Sequence, residues 1–402
     1  MPPVLPIPVL QGQRLPPAHA CGHGASIIAS TTIRGIDNPG VMDWIDPISD
    51  RRWTEFVERH RRASVFHTVT WLESLRRTYG YGAVALTSSA PGGQLTEGIP
   101  FCQVKSWISG SRLVSLPFSD HCQPLVDNGR DFGALLSQLS LRYRRTECKY
   151  IEMRAFELPN CGTAGLPSPT YQDQADLNRG NSDVFEIGQY NCHKIDLGSE
   201  LKTLFSNFHK SCIQRKIERA ERERLEYEAG RSELILAKFY HLLLLTRRRH
   251  GLPPQPKAWF RNLIDGFGDD LTIRVAAKNQ QPIAAMLTLR HKRSLVYKYG
   301  VSDAPFHRMG GMPMLFWKAI QEEKLRGAEE LDLGRSDITN SGLNQFKEHL
   351  GGVPRRLIYV RMGCHRDALI RARPMARVHA LFARMPALLA QVAGRLLYKH
   401  AG

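Results

Sequence analysis

The chain has 402 residues, of which 42% are apolar and 8% aromatic, and 55 Lys and Arg against 38 Asp and Glu leave a net charge of +17. This length and composition exclude a disordered or fibrous protein and accommodate two ordinary domains with real cores. The charge points toward polyanionic partners such as tRNA, nucleotide-linked substrates or an anionic membrane surface.

Residues 1–41 are rich in Pro, Gly and Ser with no sustained hydrophobic period, which predicts a disordered leader. They lack a basic segment followed by an apolar one, so a secretory signal is not expected, and Met42 is an alternative start to Met1. Eight cysteines without any C-x-x-C pair argue against a zinc ribbon or disulfide framework, so reduced thiols and no metal are expected. No run of about 18 apolar residues is available to span a bilayer, and a cytoplasmic location is expected.

From Asp43 the pattern becomes structural. Trp53, Phe56 and Val57 mark one short helix, and Trp71, Leu72, Leu75 and Tyr79 a second. Strands are predicted at 83–87, 98–105 and 112–118, then a helix around Leu135 and a strand at 150–156. The turn-rich segment 157–183 places a domain boundary, giving domains at 42–183 and 184–362.

Past the boundary the order recurs. A charged helix is predicted over about 200–226 and another over 232–250, then strands at 271–278 and 283–289. Leu295, Tyr297 and Tyr299 alternate with Val296 and Lys298 as a half-buried strand. HRMGG at 307–311 then opens a helix carrying Leu315, Phe316, Ala319 and Ile320, with Gly327 as its stop. A strand at 331–333 ends in Gly334-Arg335-Ser336, followed by a polar loop with Lys347. Both halves therefore read helix, helix, three strands, helix, strand, which predicts an α/β (α+β) protein made by duplicating one unit, with a substrate cleft between the copies. Residues 363–402 are predicted to be a basic amphipathic helical tail suited to an anionic membrane, or else packed on the second domain.

Phe66-His67-Thr68 before Trp71-Leu72, LVSLPFSD at 113–120, KIERAERE at 216–223, LDLGRS at 331–336 and GLNQFK at 342–347 together resemble Fem-type peptidyl aminoacyltransferases and their acyltransferase relatives. The resemblance spans roughly 43–362. It implies two tandem GNAT-like units and transfer of an acyl or aminoacyl group onto an amine or hydroxyl of a cell-envelope precursor, peptidoglycan peptide or exopolysaccharide. It implies no bound cofactor, and a donor that is either acyl-CoA or aminoacyl-tRNA. The long coiled-coil arm that Fem enzymes insert in the second half is missing, which weakens the case for tRNA. In the acyl-CoA loop pattern, RMGGMP from Arg308 matches at Gly311 but carries Pro313 at the last small-residue position, removing one N–H donor. A monomer is expected.

Attack by an amine on an ester or thioester needs alignment and cations or donors aimed at the developing oxyanion. By position in the resemblance, Lys347 is the cation nearest the transferring carbonyl or a donor phosphate, in a loop closing over the cleft. Arg335 is an anchor for carboxylate or phosphate, and Asp120 accepts or holds the ammonium proton. Substrate contacts are assigned to Phe66, Trp71, Ser119, His121, Tyr299, Ser336, Asn340 and Phe346, and donor contacts to Arg308, Gly310 and Gly311. The competing readings are a solvated lysine for Lys347, an ordinary ion pair for Arg335, a turn carboxylate for Asp120, core packing for Tyr299 and a plain loop histidine for His121. For the whole chain, the alternative is a non-catalytic RNA- or membrane-binding module on a degenerate GNAT scaffold.

Overall fold

The computed structural model describes residues 42–107, 110–145, 148–156, 184–363 and 381–401. The predicted leader, the 157–183 segment and part of the tail lie outside these residues. The first half contains β1 (Asp43–Ile45), α1 (Arg51–Arg59), α2 (Val69–Tyr79), β2 (Gly82–Thr87), β3 (Ile99–Ser106), β4 (Gly110–Val114), α3 (Gly129–Arg145) and β5 (Cys148–Ala155). The second half opens with β6 (Val184–Asp196), α4 (Leu201–Asn207), α5 (Arg215–Arg222), β7 (Glu226–Gly230), α6 (Glu233–Arg249) and α7 (Lys257–Phe267). It continues with β8 (Leu271–Lys278), β9 (Gln281–His291), β10 (Ser294–Ser302), α8 (Gly311–Leu325), β11 (Glu330–Asp337), α9 (Ser341–His349), β12 (Val353–Met362) and α10 (Ala387–Ala401).

Local chemistry sets many of these limits. Asp50, Thr68, Ser232 and Asn340 accept from backbone N–H groups in the first turns of α1, α2, α6 and α9. Gly80 ends α2 in the left-handed conformation, φ +74°.

The strands form one sheet in the order β1-β2-β3-β4-β5-β12-β6-β11-β10-β9-β8-β7. Exchanging each strand for the one six places away in sequence reads this order backwards, so the sheet is its own mirror under the duplication. Each half runs antiparallel through four strands and then crosses by a helix, α3 or α8, to a parallel fifth, β4 to β5 and β10 to β11. The sixth strands are traded: β6 follows the first half but pairs with β11, and β12 follows the second half but pairs with β5. The halves are therefore joined by two exchanged strands that also pair with each other.

The core is partly shared and partly private. One cluster joins Phe66, Trp71 and Leu75 of the first half to Phe239, Trp259, Phe260 and Leu287 of the second. One other stays within the second half, around Leu315 and Phe316 of α8, and another, around Phe132 and Leu135 of α3, takes in Val360 and Met362 of the exchanged strand β12.

The structure corrects several expectations. The charged helix over 200–226 is two helices with a π turn between them, because the chain leaves the helix at Phe208 (ψ 142°) so that Phe205 and Phe208 can pack on Trp317. His209 then caps the next turn by accepting from Cys212 N. The loop bearing Lys347 is helix α9. β1, β6, β7, β12 and α7 add to the expected elements, although Trp259, Phe260 and Leu263 give α7 a clear apolar face. In β8 both faces are covered, and Arg274 is fully buried between Glu323 (2.8 Å), Glu322 (2.9 Å) and the Thr288 hydroxyl (2.7 Å).

Candidate functional site

The parallel pairing of β10 with β11 runs only from Ser294–Glu330 to Val296–Asp332, although both strands continue well beyond it. Each then breaks register with its antiparallel neighbour, β10 between Tyr297 and Tyr299 and β11 between Asp332 and Arg335. These irregularities turn Lys298 and Gly334 (φ +70°) toward the opening between the strands. Asp120 enters that opening from the first half. Its carboxylate lies 2.9 Å from Lys298 Nζ, and a side chain at Gly334 would meet it.

Asp120 is placed by a strained loop. Leu116 and Phe118 hold positive φ of 60° and 61°, conformations that cost an L-residue roughly 1–2 kcal/mol each. The surroundings over-determine the loop. Arg154 donates to the carbonyls of Leu116 and Ser119, both at 3.2 Å, and Ser119 Oγ donates to Leu116 O at 2.6 Å. Tyr359 OH donates to the carbonyl of Asp120 at 2.9 Å.

Lys298 is walled in by the rings of Phe66, Tyr299 and Trp71, at 5.3, 5.5 and 5.8 Å from its ammonium. Phe66 and Trp71 are fully buried, and the Tyr299 hydroxyl accepts from Trp259 Nε1 at 2.9 Å. These three aromatics therefore build the pocket of a buried lysine.

Lys347 is buried in α9. Its ammonium donates to the carbonyls of Gly334 (2.7 Å) and Arg335 (3.3 Å), pinning the irregular part of β11 and leaving one of three donors unengaged. Burial pushes its pKa below the ordinary 10.5, against the pull of Asp120, Cys192 and Asp332. Arg335 is exposed and lies flat over Tyr190 (4.4 Å) and Tyr359 (5.1 Å). Ser336 is buried with no partner for its hydroxyl. Asn340 caps α9 through Leu343 N and Phe346 packs on Phe316, so both have structural employment. Gly310 and Gly311 are buried, the first against the Lys216 carbonyl of α5, the second against Ala284 and Ile283. That side of the turn expected to hold a donor is covered, whereas Arg308 is exposed.

A cavity of about 560 Å³ lies beside this cluster, between loop 61–65 and residues 121–123 of the first half and β6, β10 and β11 of the second. Arg335 and Lys347 do not line it. Its cations are Arg61, Arg62, Lys194, Lys292, Arg293 and Arg355, and its acids are Glu329, Glu330 and Asp332. Lys194 pairs with Glu330 at 2.7 Å and Arg293 with Glu329 at 2.6 Å, so Arg61, Lys292 and Arg355 are the exposed cations outside these pairs, and Lys292 donates to the carbonyls of Val57 and His60.

His121 and Asp332, one from each half, meet at this cavity with Nε2 2.8 Å from Oδ2. Burial would raise the Asp332 pKa, but His121, Lys194 and the Gly334 N–H hold it well below the usual carboxylate range. Cys192 Sγ donates to its other oxygen at 3.4 Å. His121, Cys192 and Asp332 form one of two groups among the described residues with metal-compatible donors within 4.8 Å of one another; the other is His209, Cys212 and His349. The first group is fully buried, satisfied by its own hydrogen bonds and flanked by Lys194 and Lys347. Sequence reading missed Lys298, Asp332 and Cys192; the polar positions facing inward on β10, β6 and β11 were the available signal.

The acetyltransferase (GNAT) domain family matches residues 208–348. No curated protein matches the sequence. Among solved structures, FemX is 12% identical over 83% of this chain and 99% of its own, with a TM-score of 0.58. The C-terminal domain of a putative lysylphosphatidylglycerol synthetase from Agrobacterium fabrum is 18% identical over 81% and 94%, with a TM-score of 0.50. At these identities the likeness is one of fold, and it agrees with the palindromic sheet. The chain thus has a duplicated fold like that of FemX, and its residues 208–348 match the acetyltransferase (GNAT) domain family.

Proposed function

We propose that the protein is an acyl- or aminoacyltransferase acting on an amine or hydroxyl of a cell-envelope precursor. The observation that carries this reading is the meeting of a separated parallel strand pair, in the region that matches the GNAT family, with Lys298, Lys347 and the first-half Asp120, beside a cation-lined cavity between the halves. Backbone groups that lose their ladder partners are free to hold an extended, amide-bearing donor arm. Such an arm is common to acyl-CoA and to aminoacyl or peptidyl groups, and both donors fit the proposal.

In this mechanism the acceptor nitrogen, once neutral, attacks the donor carbonyl, the C–N bond forms as the ester or thioester bond breaks, and the donor leaves as its alcohol or thiol, taking up the proton that the acceptor gives to Asp120. The free donor of Lys347 faces the developing oxyanion, with Lys298 adding positive charge nearby. Asp120, already holding Lys298, orients the acceptor and receives its proton. Arg335 on its tyrosine platform holds a carboxylate or phosphate of one substrate. The cavity cations favour an anionic acceptor.

The test compares envelope precursors from cells with and without the gene by mass spectrometry, then supplies the altered precursor with acyl-CoA or aminoacyl-tRNA in vitro. A precursor lacking one acyl group, restored by wild-type protein and not by Lys347→Met, is the expected result. Unchanged precursors together with no transfer from either donor would contradict it.

A further inference from the structure

α10 has two unlike sides. On one, Tyr398 packs against the shared core and its hydroxyl donates to Pro253 O at 3.2 Å. Gly394 seats against the Pro254 carbonyl, where any side chain would collide. Tyr81 donates to Tyr398 O at 2.9 Å, Arg112 donates to His400 O at 2.7 Å, and Ser106 Oγ lies 3.0 Å from His400 Nδ1. The helix is therefore fixed to the body of the protein by one face.

The other face is apolar and turned to solvent. Leu388, Leu389, Val392 and Leu396 are 77, 59, 58 and 64% exposed, and their spacing puts them on one stripe. Trp107, at 87% exposure, extends the stripe past the end of the helix, its ring meeting His400 edge-on at 5.8 Å. Leu381, ahead of the helix in sequence, is exposed as well. From 381 to 402 the chain carries Arg384, Arg395 and Lys399 and no acidic residue. A fixed apolar ridge, a tryptophan at its margin and cations without acids beside it match the interfacial zone of an anionic bilayer.

We propose that α10 and Trp107 dock this protein on an anionic lipid surface, with the leucine and valine side chains in the acyl boundary and Arg384, Arg395 and Lys399 among the headgroups. The proposal stands apart from acyl transfer. It also places any lipid-linked acceptor in reach of a protein none of whose described helices is long and apolar enough to cross a membrane.

The test is co-sedimentation of the full chain with vesicles of phosphatidylcholine alone and of phosphatidylcholine with phosphatidylglycerol, at low and high salt. Binding to the phosphatidylglycerol vesicles that weakens with salt is expected, and Leu388→Asp with Val392→Asp should lower vesicle affinity by about tenfold or more. Those positions are exposed, so the melting temperature should hold; Trp107→Ser provides a second variant with the same expected direction. Undiminished binding by these variants, or no binding of wild type to phosphatidylglycerol vesicles, would overturn the proposal. So would a wild-type dimer, seen by light scattering, that the double variant converts to monomer, because the face would then belong to a second copy.

Discussion

Lys298 and Asp120 form a 2.9 Å ion pair that reaches from one half of the duplicated fold into the opening of the other, with the lysine only 6% exposed at its side chain. The pair is held from both sides, by the aromatic walls around Lys298 and by the strained loop behind Asp120. A buried pair broken on one side leaves an uncompensated charge. Asp120→Asn or Lys298→Met alone should therefore each cost about 3 kcal/mol of stability, and the double substitution should cost less than their sum. Denaturant unfolding of the four proteins in the cycle checks this.

His67 sits fully buried between the first-half loop and the shared core, with Nε2 2.9 Å from Gln123 O and Nδ1 accepting from Ser64 N at 3.0 Å. Burial, reinforced by His121 and His291, pulls its pKa from 6.5 down to about 3. The folded protein keeps this ring neutral while the unfolded chain takes up a proton below 6.5, so its contribution to stability is full above that pH and is lost on going down toward 3. The loss is about 1.4 kcal/mol per pH unit. His67→Gln should make the stability curve flatter across this window, as thermal melts at successive pH values would show.

Lys347 gives the opposite end of the scale. Its pKa is lowered by burial, so above the folded value and below 10.5 the unfolded chain binds the extra proton. Stability from this group therefore rises with pH through that alkaline window. Lys347→Met removes the rise, and it also removes two hydrogen bonds to β11 carbonyls worth about 1–2 kcal/mol each to the neutral-pH stability. Melts between neutral and alkaline pH separate the two effects.

Gly310 is required twice. Its φ of +82° lies in the left-handed region, and the space a side chain would fill is taken by the Lys216 carbonyl of α5. Gly310→Ala should cost roughly 3 kcal/mol, above the 1–2 kcal/mol of backbone conformation alone, and loosen α5 from α8. Hydrogen exchange on α5 measures the second effect directly.

The duplication was legible in the sequence because each half repeats helix, strands, helix and strand with clear apolar periods at Trp71, Leu135, Ile273 and Leu315. The traded strands were not, since β6 and β12 sit mid-sheet yet carry polar residues such as Lys194, Arg355 and Arg361 that interrupt any apolar period. Asp120, Lys347 and Arg335 stood out as polar residues next to motif positions, and the structure gathers the first two around one strand opening. Phe66, Trp71 and Tyr299, assigned to substrate contacts, enclose the charge of Lys298, which spacing along the chain did not reveal. Nor could spacing along the chain reveal that His121 faces Asp332, 211 residues away.

The central claim is that acyl transfer occurs at the β10–β11 opening. Single-turnover transfer to the accumulated precursor, measured for wild type, Lys347→Met and Asp120→Asn at equal folded concentration, tests it most directly. The account predicts that both variants bind the precursor within a few-fold of wild type but lose about a hundredfold or more in rate, as expected when charge stabilisation of a transition state is removed. Wild-type rates from Lys347→Met and Asp120→Asn in properly folded protein would contradict it.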